Sequence, residues 1–195
     1  MVTTASEPHA AAARSLRDHG VGARDPRTPP FLLADYDRLG YNYRMTDLQA
    51  ALGCAQMDRA AGILDMRRAR ARWYDQRLAE VEWLAPPVVP QGYGHTYQAY
   101  VCLFRPEEPS LENAERLSAR RNGLMAALEE RGIATRQGTH APSDSHYYRE
   151  KYGLRPEDFP RAYLAQQLSL AIPLFAQITE EEQELVCSSL AGAYR

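Results

Sequence analysis

Lysine is almost missing from this sequence: of its 23 basic residues, 22 are arginine and only Lys151 is lysine. Chemistry that needs a neutral primary amine therefore has Lys151 or the N-terminus and nothing else. Lys151 lies in the charged stretch "REKYG", whereas a nucleophilic lysine needs a desolvated or electrostatically tuned pocket. It reads as an exposed structural residue. Codon bias in a GC-rich genome is enough to produce the arginine excess. Cysteine is scarce as well. Cys54, Cys102 and Cys187 are odd in number, far apart and without metal-ligand spacing, so a reducing compartment and a cytoplasmic location are expected. No apolar run approaches membrane-spanning length and no signal-peptide pattern opens the chain, so no membrane partner is expected. A net charge of −2 argues against nucleic acid as a partner. Gly-rich phosphate loops, a G-x-S-x-G elbow and a recognisable pair of catalytic carboxylates are also missing. No catalytic residue and no metal site are assigned.

What is there is an ordinary globular balance, 45% apolar and 25% charged over 195 residues, enough for one ample domain or one domain plus part of another. Met1 to Thr4 reads as a strand entered without a polar lead-in, as if the chain had lost its front. Ser6 then caps a helix with Pro8 in its first turn, which runs through Leu16 to a stop at Gly20. "GARDPRTPP" (Gly22 to Pro30) is a Pro-rich loop. Helices are expected from Asp47 to about Ala61 and from Ile63 to about Val81. The second carries Leu64, Ala71, Tyr74, Leu78 and Val81 on one stripe and Asp65, Arg68, Arg72, Asp75 and Gln76 on the other side. Pro86, Pro87 and Pro90 mark a subdomain boundary. "TYQAYVCLF" (Thr96 to Phe104) reads as a strand, Leu111 to Arg131 as a helix stopped by Gly132, and "IATR" (Ile133 to Arg136) as a short strand. Helical turns follow near Tyr147 to Tyr152. After the apolar segment "LSLAIPLF", a last helix is capped by Thr179 with Glu182 three residues on. Helices interleaved with short strands indicate an α/β or α+β fold.

Three clusters invite a chemical reading and each has a plainer one. "MRRARARW" (Met66 to Trp73) has arginines able to grip phosphates, but on an amphipathic helix such a run is more often a solvated face. His140 and His146, with Asp144 between them, match no zinc spacing and read as loop histidines. His95 reads as a hydrogen bonder at a strand end.

"LGYNYRMTDLQAALG" (Leu39 to Gly53) is the most informative stretch. Thr46 and Gln49 have capping-box spacing, and Leu48, Ala51, Leu52 and Ala55 share one helical face. Tyr41, Asn42, Tyr43 and Arg44 lie before that helix and are not needed by it; taken alone, Asn42 reads as a turn residue.

The run from Gly40 to Ala51 resembles a signature of the DegT/DnrJ/StrS-type sugar aminotransferases. Other segments match that family in order: Met1 to Thr4, "RSLRDHG", "RRARARWYDQRL", "HTYQAYV", "GIATR" and "LSLAIPLFAQITEEEQELV". The resemblance implies an α/β, aspartate-aminotransferase-like fold of the type I pyridoxal-phosphate transferases. By it, residues 1–40 correspond to a remnant of the large cofactor domain, 41–82 to interdomain and dimer-interface helices, and 83–195 to the small α/β domain. It implies the cofactor pyridoxal 5′-phosphate and an amino group moved from glutamate to a nucleotide-linked keto-sugar. It further implies a homodimer in which Asn42 reaches the cofactor phosphate of the neighbouring subunit. Arg44, Tyr43 and His140 are then the expected substrate contacts. Two departures stand out. The family's cofactor lysine lies upstream of the segment matching Met1 to Thr4, so this chain does not contain it. "GTHAPSDSHYY" departs from the usual substrate loop: Ser143 stands where many members have His, and His140 is the substitute. A catalytically inactive remnant, a docking partner of a full-length paralogue, or a fragment of a related sugar dehydratase remain alternatives.

Overall fold

The computed structural model describes residues 2–22 and 35–193 and divides into two units, Met1–Asp58 and Arg59–Arg195. Met1 and most of the Pro-rich stretch, residues 23–30, lie outside the described residues.

In the first unit, α1 (Glu7–Arg17) follows Ser6, which is extended, and carries Pro8 where a missing amide N–H costs nothing. Ser6 stands at the N-cap as expected, but its side chain makes no capping bond. Gly20 ends the run with φ +84, and a Cβ there would stand 1.8 Å from the Arg38 carbonyl oxygen. Only glycine satisfies both demands. The strand expected at the start is corrected: Val2 to Thr4 pair with no described segment and Val2 is 80% exposed. A strand needs a neighbour to take its amides. α2 (Asp47–Asp58) starts on the expected box, with Gln49 N donating to Thr46 Oγ1 at 3.3 Å and Thr46 N to Gln49 Oε1 at 3.0 Å. Yet α2 buries no residue; Leu48 is 86% exposed.

The second unit is built on a four-stranded antiparallel sheet of order β1-β2-β4-β3. The strands are β1 (Leu84–Ala85), β2 (Tyr100–Phe104), β3 (Arg136–Gln137) and β4 (Ser169–Ile172). Tyr100 lies opposite Ile172, Cys102 opposite Leu170 and Phe104 opposite Leu84, so these six share the core face. Helices cover that core. α3 (Ala60–Leu78) buries Ala71, Tyr74 and Leu78, and α4 (Ala114–Glu129) buries Leu117, Leu124 and Leu128. α7 (Glu180–Ala193) buries Val186, Cys187 and Leu190 after its expected Thr179–Glu182 box. In α3 the spacings of three and four residues, and in α4 those of seven and four, put the apolar side chains on one stripe; in α7 the adjacent Val186 and Cys187 share a face with Leu190, four and three residues on. α5 (His146–Tyr152) and α6 (Pro160–Leu168) complete the unit.

Departures from expectation have local causes. β2 begins at Tyr100 rather than Thr96 because Tyr97 sits at φ +49, outside any strand geometry. In "IATR", Ile133 and Thr135 are buried but only Arg136, with Gln137, reaches a partner strand. α6 was not anticipated. Most of its residues are half-buried on every side, so no stripe marks it.

Candidate functional site

The last carbonyls of a helix have no partner within it. At the end of α1 the segment after Gly40 supplies donors: Tyr41 N to Leu16 O at 2.7 Å and Tyr43 N to Arg17 O at 2.8 Å. His19 N donates back to Tyr41 O at 2.9 Å, and Asp18 and Asn42 form an isolated antiparallel bridge. The contact is tight enough to require two glycines, since a Cβ on Gly40 would stand 2.0 Å from Gly20 N. Two anchored tyrosine amides thus bracket Asn42. Its side chain is exposed and makes no hydrogen bond to any described residue.

Arg44 is already engaged. Its Nη1 donates to Asp18 Oδ1 at 2.9 Å, the two side chains being 57% and 39% exposed. A pair this wet contributes only about 0–1 kcal/mol, so the guanidinium can exchange partners cheaply. The Tyr41 and Tyr43 rings stack at 5.1 Å with 7° between their planes. An amide donor, a charged fork and two ring faces therefore occupy one short exposed strip, a chemistry suited to an anion carried on a flat ring. Beside it lies a cavity of about 490 Å³ whose lining includes Arg14, Ser15, Arg17, Asp18 and Arg38.

The structure brings Asn42, Tyr43 and Arg44 together; His140 belongs to the second unit, exposed on the loop after β3. His146 lies 4.0 Å from Glu150. Lys151 is exposed, donates to Tyr147 Oη at 3.0 Å and sits 5.3 Å from the ring centroids of both Tyr147 and Tyr152. The arginine-rich run is not simply a solvated face. Arg67 Nη1 donates to Tyr97 O at 2.8 Å and approaches Gln98 O and Leu174 O, while Arg68 Nε reaches His95 O at 3.3 Å and Arg70 pairs with Glu180 at 3.6 Å.

Sequence reasoning placed Asp75 on the outer side of its helix; instead it is half-buried and accepts from Tyr100 Oη at 2.6 Å. Its partner lies 25 residues on in another element, beyond any local pattern. Burial first, then that bond, pushes the Tyr100 hydroxyl far above its usual range. Burial likewise raises Tyr74, whose hydroxyl donates to Pro173 O at 2.9 Å. Burial pushes the Cys102 thiol up to about 12 and that of Cys187 to about 11, so neither offers a thiolate near neutrality. Asp18, the partner of Arg44, was also missed, for the same reason of sequence distance.

Among the described residues no helix is long and apolar enough to cross a membrane. Solved structures similar to this chain include aminotransferases, some of them described as sugar aminotransferases. PseC from Helicobacter pylori, an aminotransferase involved in pseudoaminic acid biosynthesis, superposes with a TM-score of 0.76 at 18% identity, over 93% of this chain and 44% of that one. The putative sugar aminotransferase Spr1654 from Streptococcus pneumoniae, in its PMP form, gives 0.77 at 22% identity, over 92% and 43%. These neighbours establish the fold as α/β, of the aspartate-aminotransferase-like type I. The uncharacterized protein MJ1066 of Methanocaldococcus jannaschii is 28% identical over 188 residues, 93% of this chain but 46% of its own length. The chain thus spans under half of the relatives it matches. Residues 1–191 match the DegT/DnrJ/EryC1/StrS aminotransferase family, and the chain belongs to it.

Proposed function

We propose that this chain is the C-terminal part of a pyridoxal-phosphate-dependent enzyme that moves an amino group from glutamate to a nucleotide-linked keto-sugar in the cytoplasm. In this reading residues 1–40 belong to the large cofactor domain, 41–82 to interdomain and dimer-interface helices, and 83–195 to the small domain. The observation that carries it is the exposed strip at Asn42, pinned to α1 on both sides yet with its side-chain amide making no hydrogen bond to any described residue. Family membership over residues 1–191 supports it.

The residues present fit one end of the cofactor. Asn42 donates to the phosphate from its side-chain amide, in trans across a homodimer, and Arg44 turns from Asp18 to add a charge-assisted fork. Tyr43 and His140 contact the sugar nucleotide. Pyridoxal phosphate, when bound, supplies the electron sink for amino-group transfer. The aldehyde end does not fit this chain. Lys151 is exposed, hydrogen-bonded and flanked by two tyrosine rings rather than desolvated in a pocket. That lysine environment favours a second reading, a catalytically inactive docking partner of a full-length paralogue. The DNA upstream of the Met1 codon decides between them: an in-frame or frameshifted lysine-bearing segment supports the enzyme, and its absence supports the docking partner. In an enzyme completed with such a segment, Asn42→Ala should weaken cofactor retention with the fold intact. Unchanged pyridoxal-phosphate affinity in that variant would remove Asn42 from the site.

A further inference from the structure

Two non-glycine residues with positive φ stand among those described, and Tyr97, at φ +49, is the buried one. Such a conformation costs a bulky residue about 1–3 kcal/mol and persists only when its surroundings hold it. Both backbone polar groups of Tyr97 are held by side chains. Its N–H donates to His95 Nδ1 at 2.9 Å, and its carbonyl accepts from Arg67 Nη1 at 2.8 Å. The ring lies against His95, centroids 4.4 Å apart, and stacks on Tyr100 at 6.2 Å and 18°. Tyr100 in turn donates to Asp75 of α3.

The two grips differ in kind. A guanidinium keeps its charge and its donors at any working pH. An imidazole nitrogen accepts only while it carries no proton. Once protonated, Nδ1 would aim an N–H at the Tyr97 N–H, and two donors cannot bond each other.

We propose that His95 is a pH-sensitive latch: its neutral ring holds Tyr97 in a left-handed turn ahead of β2, and protonation of Nδ1 releases Tyr97 to an ordinary negative φ. The groups facing this turn are named by the structure. From α3 come Arg67, Arg68 with its Asp65 partner at 3.5 Å, Arg72 and Asp75; from β2 comes Tyr100. Release frees the stacked Tyr97 ring from Tyr100 and leaves the Arg67 clamp without the geometry it was built on. The latch thereby couples the path into β2 to the face of α3. It stands apart from the reading of Asn42 and Arg44.

The experiment is NMR on the full 195-residue chain, following the His95 ring and the Tyr97 amide together across a pH titration. The Tyr97 protection factor, corrected for the intrinsic pH dependence of exchange, should fall about tenfold, the worth of one such hydrogen bond. Its midpoint should coincide with that of the His95 ring itself. His95→Asn keeps an acceptor that bonds the amide two residues on and should retain the protection while abolishing the pH step. His95→Ala should lose the protection at every pH. A Tyr97 amide indifferent to His95 titration, or a pH step that survives His95→Asn, would overturn the latch.

Discussion

Replacing Gly40 by alanine tests whether the docking of "GYNYR" on α1 is what positions Asn42. The new Cβ would stand 2.0 Å from Gly20 N, 2.5 Å from His19 C and 2.7 Å from Gly20 Cα. All three are backbone atoms, so no side-chain rotation relieves the clash. Moving the nearest from 2.0 Å to an ordinary 3.4 Å contact needs the segments to part by 1.4 Å (3.4 minus 2.0). That separation stretches the 2.7–2.9 Å bonds Tyr41 N to Leu16 O, Tyr43 N to Arg17 O and His19 N to Tyr41 O beyond hydrogen-bonding range. At about 1 kcal/mol each, the loss is about 3 kcal/mol of local docking free energy, or roughly a hundredfold in local opening. Amide hydrogen exchange reads it directly. Tyr41 and Tyr43 should exchange about a hundredfold faster in Gly40→Ala, while amides of β2 in the other unit serve as the unaffected control. Gly20→Ala should go further, because φ +84 adds a left-handed penalty of about 1–2 kcal/mol. Exchange of Tyr41 and Tyr43 within about twofold of the parent in Gly40→Ala would refute the argument that these glycines hold the strip in place.

Other outcomes follow from burial and charge. Under native conditions at pH 8 a thiol reagent should modify Cys54 alone, and all three cysteines only in denaturant, because Cys102 and Cys187 are buried with their thiols raised; early reaction at either would show the core to be open. The same shifts set an alkaline limit. Folded Cys102 ionises near 12 against a usual 9.0, so its contribution is complete below pH 9 and is lost as pH rises from 9 towards 12. Cys187, Tyr74 and Tyr100 act in the same direction, and a melting temperature flat between pH 8 and 11 would contradict all four. Ala51→Leu should leave the chain's own stability within about 0.5 kcal/mol, since α2 buries nothing here. If a second copy covers this face, the variant should weaken association by sedimentation or light scattering; unchanged self-association would argue against α2 as an interface. Lastly, the 195-residue chain alone should not aminate a nucleotide keto-sugar. Robust glutamate-dependent amination abolished by Lys151→Ala would overturn the account of that lysine.

Whatever a residue does with neighbours a few positions away is legible in the order of amino acids alone. The Thr46–Gln49 and Thr179–Glu182 boxes formed as read because a cap and its partner lie within one helical turn. The stripe of Ala71, Tyr74 and Leu78 was legible because burial on one helical face imposes a period, and Gly20 and Gly132 announced helix ends through φ +84 and +77. Asn42, Tyr43 and Arg44 were singled out because they stood before a helix that had no need of them. What that segment does instead, closing the carbonyls of α1 through Tyr41 and Tyr43, rests on chain 25 and 26 residues away, and the grip of Asp18 on Arg44 likewise spans 26. The same holds for Asp75 with Tyr100 and for Arg67 across three carbonyls. A side chain read as outward on its own helix becomes interior when another element is laid over it. Tyr97 is the sharpest case: its β-favouring neighbours predict a strand, and the groups converging from His95, Arg67 and Tyr100 hold it in a left-handed conformation that a strand excludes.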